Sequence, residues 1–220
     1  VKVTPRGDYS MWKAQDGLYH VRTKGIVSGE LVNQTDLIAS ITQIIYSYTE
    51  WDKYIETAKN LDIQFIISNT TESGLSLSNN DKMDATPPGS FPAKLTIWLH
   101  ERFNYFDGAI KAGCTILPCE LLVDNGQLLK ALVIETAQKW ELSTAFIDWV
   151  EQANTFCNTL VDRIVPGVEK EKLPTVWQEL GYEDHLVTEG EPYHLWVIEA
   201  PDEVAQALPL HEVGLNVVYT

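Results

Sequence analysis

Residues 63–74, Ile-Gln-Phe-Ile-Ile-Ser-Asn-Thr-Thr-Glu-Ser-Gly, decide the fold. The first five form a short, β-rich apolar run with no turn residue inside it. Such a run, ending abruptly in Ser, Asn and Thr, is expected of a strand buried on both faces of a parallel sheet. What flanks it follows the same logic. A loop over 78–89 is rich in Asn, Asp, Pro and Ser. Ser90 then stands where a helix N-cap belongs, with Pro92 in the first turn. Leu95, Leu99, Phe103 and Phe106 recur at helical spacing and give an apolar stripe to lay on a sheet. Gly108 and Gly113 bracket the exit, and Cys114 to Leu117 reads as a second short strand stopped by Pro118.

The unit repeats in outline. Asp124-Asn125-Gly126 is turn chemistry, 127–140 reads as a helix, and Ser143 caps another through Val150. Trp177 to Leu180 is a short helix closed by Gly181, and 193–199 and 215–219 are later strands. Upstream, 17–32 alternates apolar and polar residues around Lys24-Gly25, predicting an antiparallel hairpin. Asp36 is expected to cap a helix whose buried stripe includes Ile41, Ile44, Ile45 and Tyr48. Strand and helix taking turns predicts an α/β domain with a mainly parallel sheet, and no linker divides the chain.

The chain has 220 residues and a net charge of −15 with a pI near 4.6, which argues against binding nucleic acid through its phosphates. Hydrophobic residues make up 45 %, a globular composition, and no apolar run approaches membrane-spanning length. Cys114, Cys119 and Cys157 fall in no metal-ligand spacing, nor do the five histidines, so no metal is expected. Reduced thiols place the protein in the cytoplasm. The start at Val1, without a Met, reads as an opening cut from something longer.

Ligands of parallel sheets bind beyond the carboxyl ends of the strands. That rule selects three polar loops, 68–75, 119–126 and 154–166. In the first, Asn69, Thr70 and Thr71 suit a cofactor's ribose or phosphate, Gly74 permits close backbone approach, and Glu72 suits proton relay. The same residues equally suit caps and turns closing a surface loop. Asn158, among apolar neighbours before Val161-Asp162-Arg163, suits polarising a carbonyl or, alternatively, tying loop backbone in place. None of the 13 glycines stands two residues from another, so the Gly-x-Gly turn that cradles a dinucleotide is absent from this sequence. It is expected upstream of Val1, with 1–4 as the second strand. Pro5-Arg6-Gly7-Asp8 at its end then offers both an acid for ribose hydroxyls and an Arg for a 2′-phosphate.

Five blocks, FIISNTTESGL, FPAKLTIWLHERF, ILPCELLVDNG, ANTFCNTLVDRIVPG and EPYHLWVIEAP, together resemble the long-chain mannitol dehydrogenase family of polyol-specific NAD-dependent dehydrogenases and hexuronate reductases. The hexuronate reductases are the more similar branch. Phe156, Thr159, Val161, Asp162, Arg163, Ile164 and Pro166 fit the family signature, and Asn154 departs from it. The resemblance implies a Rossmann-like mainly parallel sheet with helices on both faces, plus an antiparallel hairpin insertion. Residues 1–220 would be its NAD-binding domain, lacking the first strand and glycine turn. The helical domain carrying the catalytic lysine would lie beyond Thr220.

By position, the resemblance assigns Asn158 to the oxyanion hole and Glu72 to the proton path. It sets Thr70 and Thr71 near the nicotinamide ribose, and Cys119 and Asn125 beside the cofactor; Arg6, from its place at the end of the expected strand, is a further cofactor candidate. It implies NAD, a small sugar acid as substrate, no metal, no membrane and no nucleic acid, and leaves the oligomeric state unknown. Other polyol or hexuronate members, and a non-catalytic nucleotide-binding or assembly piece, stay open as alternatives.

Overall fold

The computed structural model describes residues 1–5 and 9–220. In chain order they form helix α1 (Ser10–Ala14), strands β1 (Tyr19–Val27) and β2 (Glu30–Ile38), helix α2 (Trp51–Glu56), strand β3 (Phe65–Ser68) and helix α3 (Phe91–Tyr105). Strand β4 (Thr115–Pro118) follows, then α4 (Asn125–Lys139), α5 (Thr144–Ala153), β5 (Thr155–Phe156) and β6 (Asn158–Asp162). The last elements are α6 (Leu173–Leu180), β7 (Thr188–Gly190), β8 (Leu195–Glu199), α7 (Asp202–Ala207) and β9 (Val217–Tyr219).

These elements divide into two compact units. The first comprises Val1–Val3, Ile45–Val161 and Leu195–Thr220, and the second Thr4–Ile44 and Asp162–His194.

In the first unit β3, β4 and β5 are parallel, in the order β3-β4-β5. One residue, Cys157, separates β5 from β6, and a second array follows in the order β6-β8-β9, with β8 and β9 parallel. Successive strand residues point to opposite faces, and the core splits accordingly. Ile66, Ile116 and Phe156 join one cluster with Leu95 and Leu99 of α3, Leu129 and Val133 of α4, and Phe146 and Val150 of α5. Phe65, Leu117, Cys157 and Ile198 join the other with Val204 of α7. Helices therefore cover both faces, as expected. Ser90 and Ser143 cap α3 and α5 with their hydroxyls, each accepting from a backbone N–H at 3.2 Å.

Three expectations fail. The hairpin exists, but it turns at Ser28-Gly29, with φ of 51° and 87°, the geometry of a tight two-residue connection. Gly25 lies inside β1, where a Cβ would meet Pro192 Cδ at 2.6 Å. The helix expected after Asp36 does not form. Asp36 pairs with Val21 in a ladder that runs unbroken from Tyr19↔Ile38 to Val27↔Glu30. Nine cross-strand pairs prevail there over a helical apolar spacing whose nucleation is costly. Ile45 is nonetheless buried, in the first unit. At the start of the chain a single parallel bridge, Lys2 to Tyr46, stands where a strand over 1–4 was expected.

Candidate functional site

The loops at the carboxyl ends of β3, β4 and β5 are joined by two buried side chains. Glu120, 2 % exposed, accepts hydrogen bonds from Ser68 Oγ at 3.0 Å, Thr70 N at 2.8 Å and Thr70 Oγ1 at 2.7 Å. A buried carboxylate is costly unless donors surround it, and β3 ends in three. Thr70 is thereby turned inward. Gly74 is needed because the loop closes on that threonine: a Cβ there would meet Thr70 Oγ1 at 2.2 Å.

Asn125 is fully buried at the start of α4. Its Nδ2 is shared among the carbonyls of Pro118, Glu120 and Thr159 at 2.8–3.0 Å, and its Oδ1 accepts from Thr159 N at 2.9 Å. One amide thus sews the β4 loop to β6. Asp124 makes the turn into the helix at a φ of 53°, and Gly126 lets α4 approach the sheet, since a Cβ would lie 2.3 Å from Cys157 O. The N-terminal amides of a helix have no partner within it. Here Asn158 Oδ1 accepts from Gly126 N and Gln127 N, both at 3.1 Å, and its Nδ2 donates to Glu199 Oε2 at 2.8 Å.

Beside this seam opens a cleft of about 380 Å³, lined among others by Asp124, Asn158, Thr159, Val197, Glu199 and Thr220. Its rim is apolar, with Val123 89 % exposed. Among the described residues no lysine or arginine lines it. Cys119 sits behind the cleft with its Sγ near Thr159 Oγ1 and the Leu117 carbonyl, and burial pushes its thiol up.

The structure therefore brings Thr70, Cys119, Asn125 and Asn158 together. Asn69, Thr71 and Glu72 are exposed at the end of β3; the Thr71 hydroxyl pairs with Ser73 Oγ at 2.8 Å. Arg6 lies outside the described residues. Arg163 braces its segment, donating from Nε to the Glu191 carbonyl at 3.2 Å, and Asp162 is exposed. Lys172 is exposed and paired with Glu169 at 3.0 Å, whose hydrogen bond holds its amine above its ordinary value.

Two site residues escaped the sequence reading. Glu120 is a single acid between a strand and an apolar pair, and Glu199 ends a strand; acids at strand ends were the available signal. A second network, in the other unit, had no local signal. Asp184 Oδ2 lies 2.9 Å from His20 Nδ1, and His20 Nε2 lies 3.0 Å from Tyr182 Oη. These partners are more than 160 positions apart in sequence.

Among the described residues no group of three or more His, Cys, Asp or Glu is arranged to hold a metal ion, and no helix is long and apolar enough to cross a membrane.

Comparison with known proteins gives one family model, the mannitol dehydrogenase Rossmann domain, matching residues 8–212. The chain is 41 % identical over 216 residues to an altronate oxidoreductase of Bacillus subtilis, covering 97 % of this chain and 45 % of that protein. It is 44 % identical over 205 residues to an altronate oxidoreductase of Shigella flexneri, covering 93 % and 42 %. Among solved structures it superposes on a D-sorbitol dehydrogenase in substrate-free form, with a TM-score of 0.74, 20 % identity, and 98 % and 46 % of the two chains covered. A Pseudomonas fluorescens mannitol 2-dehydrogenase, solved as a ternary complex with NAD and D-mannitol, gives the same TM-score at 18 % identity, covering 96 % and 43 %. These two likenesses establish the fold. The chain spans a little under half the length of the relatives it matches.

Proposed function

We propose that this chain, which belongs to the mannitol dehydrogenase family, forms the cofactor-binding part of an NAD-dependent altronate oxidoreductase, also called tagaturonate reductase. The reaction is hydride transfer between NADH and the keto carbon of tagaturonate, giving altronate, in the cytoplasm. The observation that carries this reading is identity of 41–44 % over nearly the whole chain to proteins of that name.

The residues present fit one end of a nicotinamide nucleotide. Asn69 and Thr71 stand exposed at the carboxyl end of β3, where they would meet the nicotinamide ribose. Thr70, Cys119 and Asn125 would hold the loops that shape this end. The pyrophosphate would find no glycine cradle here, because the open side of Gly74 is filled by Thr70. Arg6 belongs, in this reading, to the adenosine end. When bound, the cofactor supplies the hydride.

The chain's own residues would do the rest. The N-terminus of α4 fixes Asn158 Oδ1, so its Nδ2 faces the cleft. There it would donate to the developing alkoxide once Glu199 yields, as preorganised donors do. The exposure of Glu72 suits passing a proton to solvent. An anionic sugar acid also needs a cation, and the cleft has none among its lining residues. In this reading the cation comes from the half of the relatives that this chain does not span.

The test is turnover by the protein of the complete reading frame that contains this sequence. NADH oxidation should follow tagaturonate in preference to fructuronate or the keto partner of mannitol 1-phosphate. Preference for either of the others would overturn the substrate, and no NADH oxidation with any of them would overturn the reading. Asn158→Ala should lower the rate by about 10²-fold with cofactor binding kept.

A further inference from the structure

We propose that β2 pairs edge to edge and antiparallel with β2 of a second copy of this chain, across a two-fold axis through Gln34. The second unit's sheet has the order β2-β1-β7, so the outer side of β2 is an open edge. Open edges are ordinarily defended by being short, by charged side chains and above all lysine, by proline, or by a bulge. The strand Glu-Leu-Val-Asn-Gln-Thr-Asp-Leu-Ile has nine residues, no lysine and no proline, and its register with β1 is unbroken.

The register decides which backbone groups are free. The two-residue turn makes Val27 and Glu30 a hydrogen-bonded pair, so residues 30, 32, 34, 36 and 38 spend their N–H and C=O groups on β1. Leu31, Asn33, Thr35 and Leu37 direct theirs outward. A two-fold axis through Gln34 sets Leu31 opposite Leu37 and Asn33 opposite Thr35, pairing outward-facing residues only. Leu31 is 81 % exposed and Leu37 55 %, and each covers the other twice in the closed pair. Ile26, 73 % exposed, lies across from Leu31 on β1 and widens the same apolar face.

Charge selects the register of the contact. Arg22 and Lys24 of β1 are engaged by Glu179 and Glu189, so the charges that matter along this edge are Glu30 and Asp36 of β2 itself. With the axis at Gln34, Glu30 faces Ile38 and Asp36 faces Val32, so no like charges meet. An axis at Asn33 would set Glu30 against Asp36, which is destabilising. An axis at Thr35 would set Leu31 against Ala39 and lose the leucine pair. The contact is isologous and closes on itself, so it yields dimers and stops.

Sedimentation and light scattering across a range of concentrations should show a monomer–dimer equilibrium for the chain. Thr35→Pro, which removes an outward N–H, should leave monomer only. Gln34→Cys provides a readout that does not depend on disrupting the strand. The self-facing, non-hydrogen-bonded pair brings the two Cα atoms to about 4.5 Å, within disulfide reach. Mild oxidation should therefore yield a covalent dimer linked through position 34, and Asn33→Cys, which faces Thr35, should not. A monomer at every concentration, open-ended oligomers, or equal cross-linking of the two variants would overturn the proposal.

Discussion

Replacing Asn125 by alanine should unravel the seam at the sheet's carboxyl end. The side chain is fully buried, with four partners. Two of them keep a partner after its loss: Pro118 O still accepts from Thr159 Oγ1, and Glu120 O from Leu122 N. Thr159 loses the partner of its N–H and one donor to its carbonyl. A buried backbone group left unpaired costs about 1–3 kcal/mol. Two such groups put the loss at about 2–6 kcal/mol, roughly one and a half to four powers of ten in the folded fraction. Asn125→Asp is the sharper control. It keeps the acceptor for Thr159 N but turns an oxygen toward three carbonyl oxygens, so it should cost at least as much as alanine. Chemical denaturation followed by tryptophan fluorescence gives the magnitude, and amide hydrogen exchange at Thr159 gives the location. A loss below about 1 kcal/mol for Asn125→Ala, or an Asn125→Asp protein as stable as the parent, would refute the donor role assigned here.

Gly126→Ala places a methyl 2.3 Å from Cys157 O and 2.5 Å from its carbon, both backbone atoms. Denaturation midpoints should record a loss of about 1–3 kcal/mol or more as α4 is pushed off the sheet, and an unchanged midpoint would contradict the close approach. Lys94 is fully buried in α3, donating to the Gly89 carbonyl at 2.8 Å, and burial pushes its amine down to about 8 despite Asp81 nearby. The unfolded chain then binds more protons between about pH 8 and the ordinary lysine value, so Lys94 favours folding increasingly as pH rises through that window. The stability difference between the parent and Lys94→Met should shift toward the parent from pH 8 to 10, and a flat difference would argue against a buried amine. Asp184 is opposed by burial, yet hydrogen bonds from Gln15, His20 and Leu186 outweigh it and hold its carboxyl below the ordinary range. Its contribution is present above the unfolded carboxylate value and lost as pH falls through the folded one. Asp184→Asn should therefore flatten the acid limb of the stability curve measured by circular dichroism.

The sheet and its helices were legible because each is a local pattern. Phe65 to Ser68, the Ser90 and Ser143 caps, and the α3 stripe are all written within a few residues of where they act. The hairpin was legible in kind but not in register. Lys24-Gly25 looks like a turn, and only the approach of Pro192, from a distant segment, explains that glycine inside a strand. The spacing of Ile41, Ile44 and Ile45 suggests a helix, but the ladder with β1 carries the strand through Ile38, which local periodicity does not encode. The two units were invisible for a related reason. Each is assembled from segments far apart, so no linker marks a boundary. At the site, Asn125 and Asn158 were legible as polar residues in the right loops. Their partners were not, because Thr159 and Glu199 reach them across the fold, from 34 and 41 positions away.

The claim that the carboxyl ends of β3, β4 and β5 form the nicotinamide face can be measured directly. Amide hydrogen exchange would be followed on the protein of the complete reading frame, with and without NADH. Added protection is predicted over 68–75 and 119–126. Protection confined to the second unit, or none on binding, would contradict it.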